Sequence, residues 1–239
     1  MGGAALFFAL EPDDAVIGDV NKALVRTYRA VALDVDLVIE RLAEHKVRHA
    51  ARKESYYDVR TAFNAGEFVT DVEIAAATIY LNKTCFNGLW RENRSGRFNT
   101  PIGDYKDPPI LDEEGLRAAS PVLRRAFVMN DSFDGVVEGA GQGDFVYFDP
   151  PYDPISKTSN FTTYSSKPFG KPEQEHLARV ARDLTGKGAF VVLSNNDTPF
   201  VRSLYEDFDI HTVTCARSIN SNADRRGNVD ELIITSRRS

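Results

Sequence analysis

Asp144-Phe145-Val146-Tyr147-Phe148-Asp149-Pro150-Pro151-Tyr152 is an apolar run that ends in an acid, two prolines and an aromatic. The run suits a strand, and the prolines, which lack a backbone N–H, must stop it. A carboxylate, a rigid carbonyl and an aromatic face thus share one strand end. Chemistry on a planar exocyclic amine needs these groups. Its lone pair is delocalised into the ring, so a site must favour the pyramidal form with acceptors. Asp149 and the Pro150 carbonyl accept such N–H bonds, Pro151 removes a competing donor, and Tyr152 offers a stacking face. Taken alone, the four residues are equally a strand-ending turn with a surface tyrosine.

Around this stretch, strands alternate with helices. A small-residue turn, Gly2-Gly3-Ala4-Ala5, opens a helix over Leu6–Leu10; Ala15–Asp19 reads as a short buried strand, and Asn21 caps a helix through Val31. Glycines let backbone approach a ligand, and an acid one unit further on suits ribose hydroxyls, so Gly2, Gly3 and Asp19 fit nucleoside binding. Read singly, Asp19 is a turn residue. Ala126–Asp131 is a further strand ending in an acid, followed by Phe133. Asp131 could bond an amine while Phe133 packs beside it, or be a capped turn. Helices over Glu173–Leu184 and Pro199–Tyr205 and strands over Gly188–Ser194, Ile210–Cys215 and Glu231–Thr235 complete the alternation. It predicts a largely parallel sheet with the last two strands as a hairpin. The polar segment Pro154–Tyr164 is a closing loop or an inert one.

Between about residues 34 and 113 the pattern becomes helical, with apolar spacing in 34–48 and 71–84 and another helix near Tyr56–Phe63. Within it lies Asn82-Lys83-Thr84-Cys85-Phe86-Asn87-Gly88-Leu89-Trp90-Arg91-Glu92-Asn93-Arg94-Ser95-Gly96-Arg97-Phe98-Asn99-Thr100-Pro101, punctuated like a loop and hairpin. Lys83, Arg91, Arg94 and Arg97 make it basic, and Phe86, Trp90 and Phe98 interleave aromatics. An arginine fork reads guanine O6 and N7, and an aromatic or leucine can wedge into a base step. A solvated hairpin with anchoring aromatics uses the same residues. Arg217, Arg225 and Arg226 flank a second basic loop.

Composition narrows the classes. A net charge of −6 over 239 residues gives no global basic footprint, so nucleic acid would be met by a local patch. Two distant cysteines, Cys85 and Cys215, and four scattered histidines make neither a disulfide framework nor a zinc site, which fits a reducing, cytoplasmic setting. The apolar start lacks a basic leader and runs into Glu11, and Leu6 stands where a myristoylation motif wants Ser or Thr. No run reaches membrane-spanning length. There is no internal repeat.

Together these stretches resemble the DNA adenine N6-methyltransferases of the Dam type, the D12 class. The resemblance covers nearly the whole chain, in order: Gly2-Gly3-Ala4 with Phe7-Phe8, Asp19-Val20-Asn21, Asn82 through Asn93, Asp149-Pro-Pro-Tyr152, Ser194-Asn195-Asn196-Asp197 and Arg217-Ser218-Ile219-Asn220. It implies an α/β, Rossmann-like methyltransferase fold formed by residues 1–33 plus 122–239, with an inserted, mostly helical target-recognition domain over 34–121 and a hairpin around 86–101. S-adenosyl-L-methionine is the implied cofactor, with Gly2 and Gly3 near its methionine part, Asp19 on the ribose, and Asp131 and Phe133 at its adenine. No metal is implied. The target adenine would be flipped from double-stranded DNA and held by Asp149, Pro150 and Tyr152, with Pro151 stiffening the turn. Arg91 would read a guanine, Leu89 and Pro101 would contact bases, Phe86 would wedge where the adenine leaves, and Asn87 and Asn93 would assist at a GATC-like target. A monomer is expected, with a restriction endonuclease as a possible companion.

The chain departs from the family at its front. Such enzymes usually begin with a Lys-Trp-x-Gly-Gly-Lys-like cofactor motif and a strand leading into the glycine turn, whereas this sequence starts at the glycines. The expectation is truncation at the N-terminus, giving an enzyme fragment or a DNA-binding remnant deficient in cofactor binding. Methylation of cytosine N4 or of a protein amide stays open, since both use a similar acid or amide with Pro-Pro-Tyr or Pro-Pro-Phe.

Overall fold

A computed structural model describes residues 2–93, 95–155, 169–216 and 228–237, the side chains of 215, 216, 228 and 229 excepted. Expectations resting on Arg94, on 156–164 and on Arg217, Arg225 and Arg226 lie outside the described residues. The chain divides into two units, Met1–Val136 and Val137–Ser239.

The first unit contains α1 (Ala5–Leu10), β1 (Ala15–Gly18), α2 (Lys22–Leu33), α3 (Val35–Ala51), α4 (Ser55–Ala65), α5 (Asp71–Thr84), a single 3₁₀ turn at Phe86–Gly88, α6 (Glu113–Leu123), β2 (Ala126–Met129) and α7 (Phe133–Val136). α2 starts where the sequence requires, because Asn21 Oδ1 accepts from the Ala23 and Leu24 amides at 3.0 and 3.2 Å. α5 starts at a capping box. Thr70 Oγ1 accepts the Glu73 amide and Glu73 Oε2 accepts the Thr70 amide, at 3.2 and 3.0 Å. α5 is the central helix of the unit. Ala75, Ala76, Ala77, Tyr80 and Leu81 are all buried in it, more of its circumference than an amphipathic pattern would cover. The run of three alanines lets α2 and α3 approach closely, and Val25, Val38, Leu42 and Tyr56 fill the core beside it.

β1 and β2 pair in parallel, with Gly18 opposite Met129. Only one face of this pair meets the core, through Ile17 and Val128. The expectation of a buried strand at Ala15–Asp19 is corrected on the other face, where Val16 is 49% and Phe127 66% exposed. A two-stranded ribbon has one packed side, and period-2 alternation sends these two side chains to the other.

The second unit contains β3 (Phe145–Phe148), α8 (Lys171–Gly186), β4 (Phe190–Asn196), α9 (Pro199–Leu204), β5 (Asp209–Ala216) and β6 (Asn228–Thr235). Its sheet runs β3-β4-β6-β5. β3 and β4 are parallel, while β6 is antiparallel to both β4 and β5. The sheet is therefore mixed rather than largely parallel, because the expected β5–β6 pairing inserts β6 beside β4. Val146, Phe148, Val191, Leu193, Leu232 and Ile234 of the sheet are buried, as are Leu177, Ala181 and Leu184 of α8, which packs on β4, and Val201 of α9. Among the described residues no helix is long and apolar enough to cross a membrane.

Candidate active site and nucleic-acid interface

In the second unit, β3 ends at Phe148 and Asp149 follows, exposed, at the strand's carboxyl end. Parallel pairing sets Phe148 opposite Leu193, so Asp149 comes level with Ser194 on β4. Ser194 Oγ donates to Asp149 Oδ1 at 3.0 Å, and the Tyr147 hydroxyl lies 3.0 Å from the same Oγ. Tyr152 is half-buried. Its phenol is pushed up to about 12, chiefly by burial, with the Ser194 hydroxyl opposing and Asp149 adding to the rise. Burial likewise raises Tyr147. Both rings are neutral near pH 7, so Tyr152 presents an uncharged face suited to stacking.

Behind the Pro-Pro-Tyr turn sits a buried polar network. Gln174 Nε2 donates to the Pro151 carbonyl at 2.8 Å, and Asn195 Nδ2 donates to Gln174 Oε1 at 3.1 Å. Asn195 Oδ1 accepts the Asp153 amide at 2.9 Å, Asn196 Nδ2 donates to the Asp153 carbonyl at 2.6 Å, and Thr198 Oγ1 donates to Asp153 Oδ2 at 2.7 Å. Gln174, Asn195, Asn196, Asp153 and Thr198 are all buried, and such groups hold a backbone rigidly once their bonds are made. The Pro151 carbonyl is thereby consumed. Among the described residues no hydrogen bond uses the Pro150 carbonyl or Asp149 Oδ2, which leaves two acceptors on an exposed, stiff turn.

In the first unit, Asp19 and Asp131 follow the carboxyl ends of the paired strands β1 and β2. Asn130 Nδ2 ties these ends together by donating to the Asp19 carbonyl at 2.9 Å, and Asp19 Oδ1 accepts the Asn21 amide at 2.8 Å. Asp131 Oδ1 accepts the Ser132 amide at 2.7 Å. Its other oxygen lies only 2.3 Å from where a Cβ on Gly135 would stand, so glycine is required there for the carboxylate to lie against α7. Phe133 is half-buried at the start of that helix. Tyr28 links the glycine turn to this edge: its hydroxyl donates to the Gly2 carbonyl at 2.8 Å, and burial together with the Asp19 charge pushes it up to about 12. Gly2 has φ +48°, and nothing stands within 4 Å of a Cβ built on Gly2 or Gly3. Glycine at position 2 suits this left-handed backbone angle, and a side chain there would meet nothing within 4 Å among the described residues.

The hairpin belongs to the first unit. Asn93 N donates to the Arg97 carbonyl and Asn99 N to the Arg91 carbonyl at 2.9 and 3.0 Å, with Glu92 bridged to Phe98. The interleaved aromatics divide. Phe98 is 2% exposed and Trp90 packs on it at 4.4 Å and against Phe63 at 5.7 Å, so these two anchor the hairpin. Phe86 is 49% exposed and remains the candidate wedge. Its amide donates to the Pro101 carbonyl at 2.9 Å, which sets Phe86 and Pro101 side by side. Asn87 is exposed with φ +56°, a left-handed position that asparagine tolerates, and Leu89 is half-buried. Arg91 is exposed, its Nε fixed to Asn99 Oδ1 at 2.8 Å. Asn93 Oδ1 accepts from Ser95 N, Ser95 Oγ and Arg97 N, at 3.0, 2.7 and 3.0 Å. That oxygen holds the tip of the hairpin, and among the described residues no hydrogen bond uses the amide nitrogen of Asn93.

Sequence reasoning missed Tyr147, Gln174, Asn64 and Asn99, and gave Ser194 and Asn195 no role of their own. Their partners are set by strand pairing and long-range contact; Ser194 and Asp149 are 45 residues apart.

The chain matches the model of the D12 class N6 adenine-specific DNA methyltransferases over residues 1–219. It is 39% identical over 239 residues to the type II methyltransferase M1.LlaDCHI of Lactococcus lactis subsp. cremoris, covering 98% of this chain and 84% of that one. To the type II methyltransferase M.MjaIII of Methanocaldococcus jannaschii it is 41% identical over 244 residues, with the same coverage of 98% and 84%. To the DNA adenine methylase of Escherichia coli strain K12 it is 34% identical over 233 residues, covering 98% and 83%.

Proposed function

The chain belongs to the D12 class N6 adenine-specific DNA methyltransferases, and from that premise we propose that it transfers a methyl group from S-adenosyl-L-methionine to N6 of an adenine flipped out of a GATC-like site in double-stranded DNA. The observation that carries the site assignment is the Asp149 turn. Asp149 Oδ2 and the Pro150 carbonyl, used by no hydrogen bond among the described residues, can accept the two N–H bonds of an exocyclic amine, while neutral Tyr152 stacks on the base. Two acceptors drawing on both hydrogens favour the pyramidal amine, whose lone pair is then available for attack. Holding the base at the reacting distance supplies much of the rate, so a rigid turn matters more here than a strong base.

The donor brings its own leaving group, a sulfonium, so the step needs an aligned amine and an exit for one proton. The residues at the β1 and β2 ends suit such a molecule: a half-buried carboxylate, Asp19, for hydroxyls, an exposed one, Asp131, for an amine, a glycine turn, and the Phe133 ring. In this reading the fold is Rossmann-like, residues 34–121 form the target-recognition domain, Arg91 reads a guanine, Leu89 and Pro101 touch bases, Phe86 fills the gap left by the adenine, and Asn87 and Asn93 contact the strand. Support for the hairpin's role comes from its local basic character in a chain of net charge −6.

The test is digestion of duplex DNA after incubation with the protein and labelled S-adenosyl-L-methionine. N6-methyladenine confined to GATC-containing duplex is expected. N4-methylcytosine, labelled protein, or duplex binding without transfer would overturn the reading.

A further inference from the structure

Ser194 has one hydroxyl hydrogen, and it goes to Asp149 Oδ1 at 3.0 Å. The contact of 3.0 Å between Ser194 Oγ and the Tyr147 hydroxyl must then be donated by tyrosine, since serine has no second hydrogen to give. The three groups form a directed chain, Tyr147 to Ser194 to Asp149. It is fixed by the fold, because Tyr147 lies on β3 two residues before Asp149, which follows the strand's end, and Ser194 on the adjacent β4 comes level with Asp149.

We propose that Ser194 and Tyr147 are positioning residues for the reaction: by occupying Oδ1 they lock the Asp149 carboxylate so that only Oδ2 faces the amine. The proposal deepens the adenine reading and rests on it. A carboxylate with one oxygen tethered cannot spin about its terminal bond, so the acceptor direction is set before substrate arrives. Donation from Tyr147 also polarises the serine hydroxyl and strengthens its grip on Asp149. Ser194 is buried, 3% exposed, whereas Tyr147 is 38% exposed, so Tyr147→Phe removes the hydroxyl with little disturbance to packing.

The test is single-turnover methyl transfer by Tyr147→Phe, Ser194→Ala, Ser194→Thr and the Tyr147→Phe/Ser194→Ala double variant, beside wild type. Ser194→Ala is expected to slow kcat about 10- to 100-fold with duplex KM and Tm nearly unchanged. Tyr147→Phe should slow it about 3-fold, and the double variant should be no slower than Ser194→Ala, since tyrosine acts through serine. Ser194→Thr, which keeps the hydroxyl, should recover most of the rate. Multiplicative losses, a loss confined to KM, or no recovery in threonine would overturn the relay. Wild-type product analysis judges the underlying reading separately. The relay also has a readout without transfer, the ¹³C resonance of the Asp149 carboxyl. It should move in Tyr147→Phe but not when the same change is made on Ser194→Ala, and an unmoved resonance in the first case would overturn the proposal.

Discussion

The Asn64 side chain takes both backbone bonds of Phe98: Nδ2 donates to its carbonyl and Oδ1 accepts its amide, each at 2.9 Å. Asn64 thus stands in for a neighbouring strand, fastening the hairpin to α4. Tyr56 Oη, donating to the Thr100 carbonyl at 2.8 Å, fastens it two residues further on. Asn64→Ala should therefore lower stability by about 1 to 3 kcal/mol, because the Phe98 groups lose partners in a buried place. Denaturant unfolding checks this, and Asn64→Asp, which retains only the acceptor, should fall between.

Arg91 is held from one side. Nε donates to Asn99 Oδ1 at 2.8 Å, and among the described residues no hydrogen bond uses its terminal nitrogens. Such a fork pairs with guanine O6 and N7, so Arg91→Ala should cost about 1 to 3 kcal/mol of preference for the cognate duplex over one altered at that base pair. Asn99→Ala should weaken discrimination in the same direction by less. Competition binding with single-substitution duplexes decides both.

Two histidines face Tyr80 in the helical core. His45 stacks on its ring at 4.8 Å, and His49 Nδ1 lies 2.9 Å from its hydroxyl. Burial, with Arg48 adding to it, holds His45 down at about 4, and burial lowers His49 as well. The unfolded chain titrates near the ordinary histidine value of about 6.5. Between that value and 4 the unfolded state binds more protons than the folded one. Stability is therefore full above pH 6.5 and drains as pH falls toward 4. The expected loss from His45 is about 1 to 2 kcal/mol between pH 7 and 5, reduced from the full shift because the ring is partly exposed. Thermal melts across that range should steepen the fall in wild type and flatten it in His45→Gln.

Most elements were legible because each has a local cause: Asn21 caps α2, apolar spacing marks α5, and Pro150 and Pro151 stop β3. Asp19 and Asp131 could be placed at strand ends for the same reason. What stayed hidden depends on which strands pair. That β6 lies between β4 and β5 makes the sheet mixed, and that β3 neighbours β4 brings Ser194 to Asp149. Neither follows from periodicity, which gives a strand its faces but not its neighbours. The aromatics of the hairpin show the same limit, since Trp90 and Phe86 differ only in which side of the turn the helical core occupies.

Asp149 and Gln174 tie one turn to different groups, Asp149 to the Ser194 hydroxyl and Gln174, through the Pro151 carbonyl, to Asn195, and their loss should be told apart by stability. Asp149 is exposed and makes one bond among the described residues, from the buried Ser194 hydroxyl, so Asp149→Ala should cost no more than about 1 kcal/mol of unfolding free energy and leave duplex binding intact, while abolishing methyl transfer. Gln174 is 1% exposed and bonds both the Pro151 carbonyl and Asn195. Gln174→Ala strands both partners in a buried network, at a cost of about 1 to 3 kcal/mol for each group left unsatisfied. It also releases the turn, so kcat should fall along with Tm. Parallel unfolding and transfer assays on the two variants give the answer: equal destabilisation by Asp149→Ala would make the acid a structural residue, and an unchanged Tm in Gln174→Ala would show that the turn holds its shape without the network.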